Sequence, residues 1–118
     1  MRREMILLTG LLILILSGCT KYEIPTPPCP DGDTSAKYAA DIQPIFNQKC
    51  ITCHSGSQKP DLSDGWSYDE LIDGGYVDTD FPCESLLYQK FSDSHDGRAT
   101  EEEVLQILGW IQDGANNN

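Results

Sequence analysis

The sequence predicts an all-α domain of about four short helices. Three observations lead there. Apolar residues recur at helical spacing in four separate segments. Helix-start signals stand ahead of them, two as boxes of the form Ser/Thr-x-x-Glu and two as prolines placed in a first turn. No stretch shows the alternation of a half-buried strand, and there is no internal repeat. The chain has 118 residues, enough for one small domain whose core is marginal without a staple or cofactor.

The first helix is expected from about Tyr38, with Asp41 as a cap and Pro44 in the first turn. Ile42, Ile45 and Phe46 then share one face. Ser55 to Gly65 is a loop in which Leu62 points inward. Ser67-Tyr68-Asp69-Glu70 forms a box that starts a second helix carrying Leu71 and Ile72, with Gly74 at its C-terminal cap. Pro82 opens a third helix that runs to about Phe91 with Leu86 and Leu87. Ser92 to Ala99 is a polar loop containing His95. Thr100-Glu101-Glu102-Glu103 caps the last helix, whose face is Val104, Ile107, Leu108 and Ile111 and whose stop is Gly114. Ala115 to Asn118 is a polar tail.

Between the first two helices lies Cys50-Ile51-Thr52-Cys53-His54, which reads C-x-x-C-H. That is the attachment signature of a c-type haem. Two thiols at this spacing add to the two vinyl groups on one edge of a porphyrin. The adjoining histidine is then held beneath the iron as proximal ligand. Pro60 offers a carbonyl to the other nitrogen of His54, which would fix its tautomer, although a plain turn proline fits as well.

The N-terminus is a targeting segment. Arg2 and Arg3 precede an apolar run from Met5 to Leu16, shorter than the roughly 18 residues of a spanning helix. The run ends in Leu16-Ser17-Gly18-Cys19, which resembles the lipobox of bacterial lipoproteins. Residues 1–18 are then a signal peptide and Cys19 is the lipidated first residue. An ordinary secretory signal is the alternative. Residues 19–36, rich in proline, form a tether, and 37–118 form the folded domain. The protein is expected to be exported and lipid-anchored to a bacterial membrane. Loss of Arg2, Arg3 and Glu4 takes the formal charge from −11 to −12. Such a surface repels nucleic acid and suits a redox partner with a basic docking surface. With Cys19 lipidated and Cys50 and Cys53 on haem, Cys29 and Cys83 remain, and an oxidising compartment favours their pairing over two buried thiols.

The segment from about Tyr38 to Ala115 resembles a small cytochrome c domain. Tyr38-x-x-Asp41-Ile42-x-Pro44-Ile45-Phe46, Cys53-His54-Ser55-Gly56 and Trp110-Ile111-x-x-Gly114-Ala115 are similar to the cytochrome c-like lipoproteins of Bacteroidetes and Planctomycetes. The resemblance implies a fold whose first and last helices cross, with Ile42 and Phe46 packed on Leu108 and Ile111. It also implies a Met-Pro-Pro stretch before the last helix, whose methionine would be the distal ligand. Here that slot reads Ser94-His95-Asp96-Gly97-Arg98, and the only methionines are Met1 and Met5. His95 is therefore the candidate distal ligand, against an open iron, another ligand, or a solvated loop histidine. Trp66, Tyr68, Tyr76 and Phe81 are candidates to cover the porphyrin, with ordinary core packing as the alternative.

The expected function is single-electron transfer by one covalent haem c, with no catalytic residue. The alternative is an open-coordination haem for small-ligand binding or peroxidase-like chemistry. A thiol oxidoreductase using Cys50 and Cys53 would need strand-helix alternation around the motif, which is absent from the pattern. A zinc site from Cys50, Cys53, His54 and His95 has suitable ligand types but an unfamiliar spacing.

Overall fold

The computed structural model describes residues 27–118. The expected signal peptide, the lipidation site Cys19 and the start of the tether lie outside the described residues. All regular structure among those described is helical. A π-helical turn, Tyr38–Ile42, runs directly into α1, Gln43–Lys49. Then come α2, Ser67–Asp73, a 3-10 turn at Pro82–Glu84, α3, Leu86–Lys90, and α4, Glu101–Gln112. No helix among the described residues is long and apolar enough to cross a membrane.

The wide first turn has a local cause. Pro44 has no N–H to give and its ring crowds the carbonyl four residues back. The ladder loosens just ahead of it, with the Ile42 N–H reaching the Lys37 carbonyl at 3.2 Å. Asp41 is not the N-cap residue, because it already lies within the turn. Its carboxylate accepts from the Lys37 N–H at 2.7 Å.

Two other helix starts differ from expectation. Ser67 does not cap α2; it is the first helical residue, and its hydroxyl is spent in a buried network with Tyr38 and Gln43. Pro82 opens only a 3-10 turn, and the helix begins anew at Leu86. Ser85 causes the break: its Oγ accepts from the Asp78 N–H at 2.8 Å and donates to the Asp78 carbonyl at 3.1 Å. At α4 the expected box forms. The Thr100 hydroxyl accepts from the Glu103 N–H at 3.2 Å, and the Glu103 carboxylate accepts from the Thr100 N–H at 2.7 Å. Gly114, at φ 93°, ends that helix.

One buried cluster joins Tyr38, Ile42, Ile45 and Phe46 to Leu71, Leu87, Ile107, Trp110 and Ile111. Leu108 is fully buried but lies outside this cluster. On the helical wheel it belongs with Leu105, Gly109 and Gln112, a second face of α4. Residues 29–33, part of the sequence's tether, lie along that face. The Asp33 N–H donates to the Leu105 carbonyl at 2.9 Å, and the Gly32 N–H donates to the Gln112 Oε1 at 2.8 Å. Cys29 and Cys83 stand at disulfide distance, with Cα atoms 5.8 Å apart. The polar tail is docked too: Asn118 accepts from the Tyr38 N–H at 3.0 Å through its side chain and from the Ala39 N–H at 2.9 Å through its carbonyl.

The strap depends on two glycines. A Cβ on Gly109 would fall inside the backbone of Asp33, and one on Gly32 inside the backbone of Gly109. In an ordinary helix Gly→Ala stabilises by about 1 kcal/mol. Here Gly109→Ala is expected to destabilise, by about 1–3 kcal/mol, because two backbones must part. A urea titration checks the sign.

Candidate functional site

The helix α1 ends where the cysteine motif begins. The Cys50 N–H donates to the Phe46 carbonyl at 2.9 Å, and the Cys50 carbonyl accepts from Cys53 N–H at 3.1 Å and His54 N–H at 3.0 Å. One tight turn thus carries both thiols and the histidine. Cys50 and Cys53 are free thiols, Cys53 exposed and Cys50 half-buried. Burial pushes the Cys50 thiol up, and the nearby Arg98 guanidinium opposes that shift.

All three residues line a cavity of about 320 Å³. Its apolar walls are Phe46, Leu62, Leu71, Leu86, Leu87 and Phe91. Lys49, Lys59, Lys90 and Arg98 also line it, and no Asp or Glu does. Carboxylates stand just behind this lining: Lys49 pairs with Glu103 at 3.7 Å, Lys59 with Glu70, and Lys90 with Asp93 at 3.4 Å. His95 lines the cavity as well, brought there by the turn in which its N–H donates to the Lys90 carbonyl at 2.9 Å.

The two histidine rings lie with centroids 6.0 Å apart. The Nδ1 of His54 is 3.0 Å from the Pro60 carbonyl, which can only accept, so Nδ1 carries the proton and Nε2 keeps its lone pair. The Nδ1 of His95 is 2.9 Å from the Ser94 hydroxyl. At His54 this leaves Nε2 available for a metal, whereas the Ser94 hydroxyl can donate or accept and so fits either tautomer of His95. The separation of the rings is within the roughly 6 Å that one ion about 2 Å from a nitrogen of each imidazole can span. Among the described residues no three His, Cys, Asp or Glu side chains converge on a metal position, so the four-ligand zinc arrangement does not form. Two imidazoles, two thiols and an apolar cavity fit a group that brings its own equatorial ligands, as haem does.

The aromatic candidates divide. Tyr76 lines the cavity. Tyr68 does not; it packs edge-on against Tyr38 with centroids 5.1 Å apart and donates to the Ala115 carbonyl at 3.0 Å. Trp66 and Phe81 neither cover the cavity nor enter the core, being 66% and 61% exposed. Each sits just before a turn or helix start, where the chain runs over the surface. Leu86, read from the sequence only as a helix residue, is 49% exposed and forms part of the cavity wall.

No protein-family model, curated protein or solved structure matches this chain.

Proposed function

We propose that this chain is a monohaem c-type cytochrome that passes single electrons from an anchored position at a bacterial membrane. When bound, the haem supplies an iron that cycles between ferric and ferrous. Cys50 and Cys53 hold the porphyrin edge through thioether bonds. His54 would hold the iron through Nε2, and the Pro60 carbonyl that accepts from its Nδ1–H would raise the electron donation of the ring. His95, on the wall of the same cavity, would be the second protein ligand. Leu62, Leu71, Leu87 and Phe91 exclude water. The cytochrome c-like arrangement, with the first helix crossing α4, belongs to the same proposal, as does the lipid on Cys19.

The observation that carries the reading is the pairing of His54 with His95 at 6.0 Å across a cavity lined by both motif cysteines. Bis-histidine ligation sets a lower potential than methionine-histidine ligation. The partner is a redox protein; a basic one would be drawn to a chain of net charge −11.

Electron paramagnetic resonance of the ferric, haem-matured protein tests this. The wild type is expected to be low-spin and the His95→Ala variant high-spin. A wild type already high-spin would move the reading to an open iron that binds small ligands. A protein with no haem signal would overturn the reading altogether.

A further inference from the structure

Gln43 is a buried polar residue, 6% exposed. A leucine there would fill the same space without hydrogen-bond demands. The amide instead takes part in a one-directional chain, and its Nε2 also donates to the Asn47 Oδ1 at 3.0 Å. The Tyr38 hydroxyl donates to the Ser67 hydroxyl at 2.6 Å, Ser67 donates to the Gln43 Oε1, and the Gln43 Nε2 donates to the Leu62 carbonyl at 3.1 Å. Burial pushes the Tyr38 phenol up to about 12, so it stays a donor throughout the neutral range. The Leu62 carbonyl can only accept, which fixes the orientation of the amide.

Leu62 closes the loop that begins at His54. Its N–H donates to the His54 carbonyl at 2.7 Å, and within that loop Pro60 accepts from the His54 ring at 3.0 Å. Glu70 also reaches the loop, through Lys59 and, at 3.4 Å, the Asp61 N–H. The Lys59 pair is solvent-exposed, and such pairs contribute little. The bond from Gln43 is buried, and breaking it strands a carbonyl.

From this arrangement we infer that Gln43 is a positioning residue for His54, acting through Leu62 and Pro60. The inference rests on the reading of His54 as the haem ligand. With Gln43 in place, the loop holds the Pro60 carbonyl against Nδ1 and the imidazole is a stronger donor at Nε2. Without it the loop relaxes, that hydrogen bond weakens, and ferric iron loses more stabilisation than ferrous.

The test uses the haem-loaded full chain and reads midpoint potential and ferric g values. Gln43→Met keeps the length of the side chain and removes its hydrogen bonds. Ser67→Ala cuts the same network at its other end and leaves the bond to Leu62. Gln43→Met is expected to raise the potential and shift the g values. Ser67→Ala is expected to lower the melting temperature and move neither. Equal shifts in both variants, or a Gln43→Met protein that is less stable but spectroscopically unchanged, would reduce Gln43 to a core polar residue and overturn the inference. If Gln43→Met does not fold, Gln43→Asn, one methylene too short for both bonds, decides by the same readings. A wild type that carries no haem would instead overturn the underlying reading of the site.

Discussion

Replacing Cys50 and Cys53 together with serine is expected to yield a chain with no covalent haem and no cooperative unfolding transition. Both thiols are on the wall of a cavity of about 320 Å³ whose main walls are aliphatic and aromatic. At about 24 cal/mol per Å³, a void of that size corresponds to a deficit of roughly 8 kcal/mol. The mouth is open to solvent, so this is an upper bound. Even half of it is comparable with the whole stability of a small domain, about 5–15 kcal/mol. Phe46, Leu71 and Leu87 face both the core and the cavity, so an empty cavity loosens the core itself. Haem staining on a denaturing gel reads attachment independently of folding, and near-ultraviolet circular dichroism reads the packing. A stained band from the double variant would show that the haem is not held by these thiols.

The sequence made legible whatever depends on local chemistry. The Thr100 box forms because its two partners are three residues apart, and the pairing of Glu103 with Lys49 uses the other carboxylate oxygen. Pro60 meets His54 for the same reason, six residues away within one loop. What escaped depends on partners far along the chain. Ser67 has the right spacing for a cap, but Gln43 and Tyr38 claim its hydroxyl from 24 and 29 residues away. Ser85 breaks a helix for the sake of a backbone seven residues earlier. The strap on α4 left one readable trace, Gly109 in the buried stretch of a helix, where a conformational cost suggests a close approach. Leu108 was misassigned because one stripe was assumed where α4 has two buried faces. In the site, the residue types of the cysteine motif were legible, whereas the cationic lining was not. Lys49, Lys59, Lys90 and Arg98 come from four separate segments, and only folding gathers them.

The second large effect is expected from Trp110→Ala, a loss of about 3–5 kcal/mol. Trp110 is 1% exposed and stands between the last helix and the first. Its ring lies 5.1 Å from that of Tyr38 and 6.4 Å from that of Tyr68. The indole N–H donates to the Asn116 carbonyl at 2.9 Å, and the Trp110 carbonyl accepts from the Ala115 N–H at 2.9 Å. Truncation therefore opens a void and, while the main-chain bond to Ala115 remains, removes the side-chain hold on Asn116, which loosens residues 116–118. Those residues satisfy the Tyr38 and Ala39 N–H groups at the start of the first helical turn. Trp110 and Leu62 belong to the same buried cluster, so the void is felt at Leu62 through packing and not through the hydrogen-bond chain. A substitution remote from the cavity is thus expected to loosen the loop that holds His54. Denaturant unfolding measures the stability lost, and hydrogen exchange at the Leu62 amide reads whether the loosening arrives there. Full protection at Leu62 in a destabilised variant would show that the core and the His54 loop are independent units.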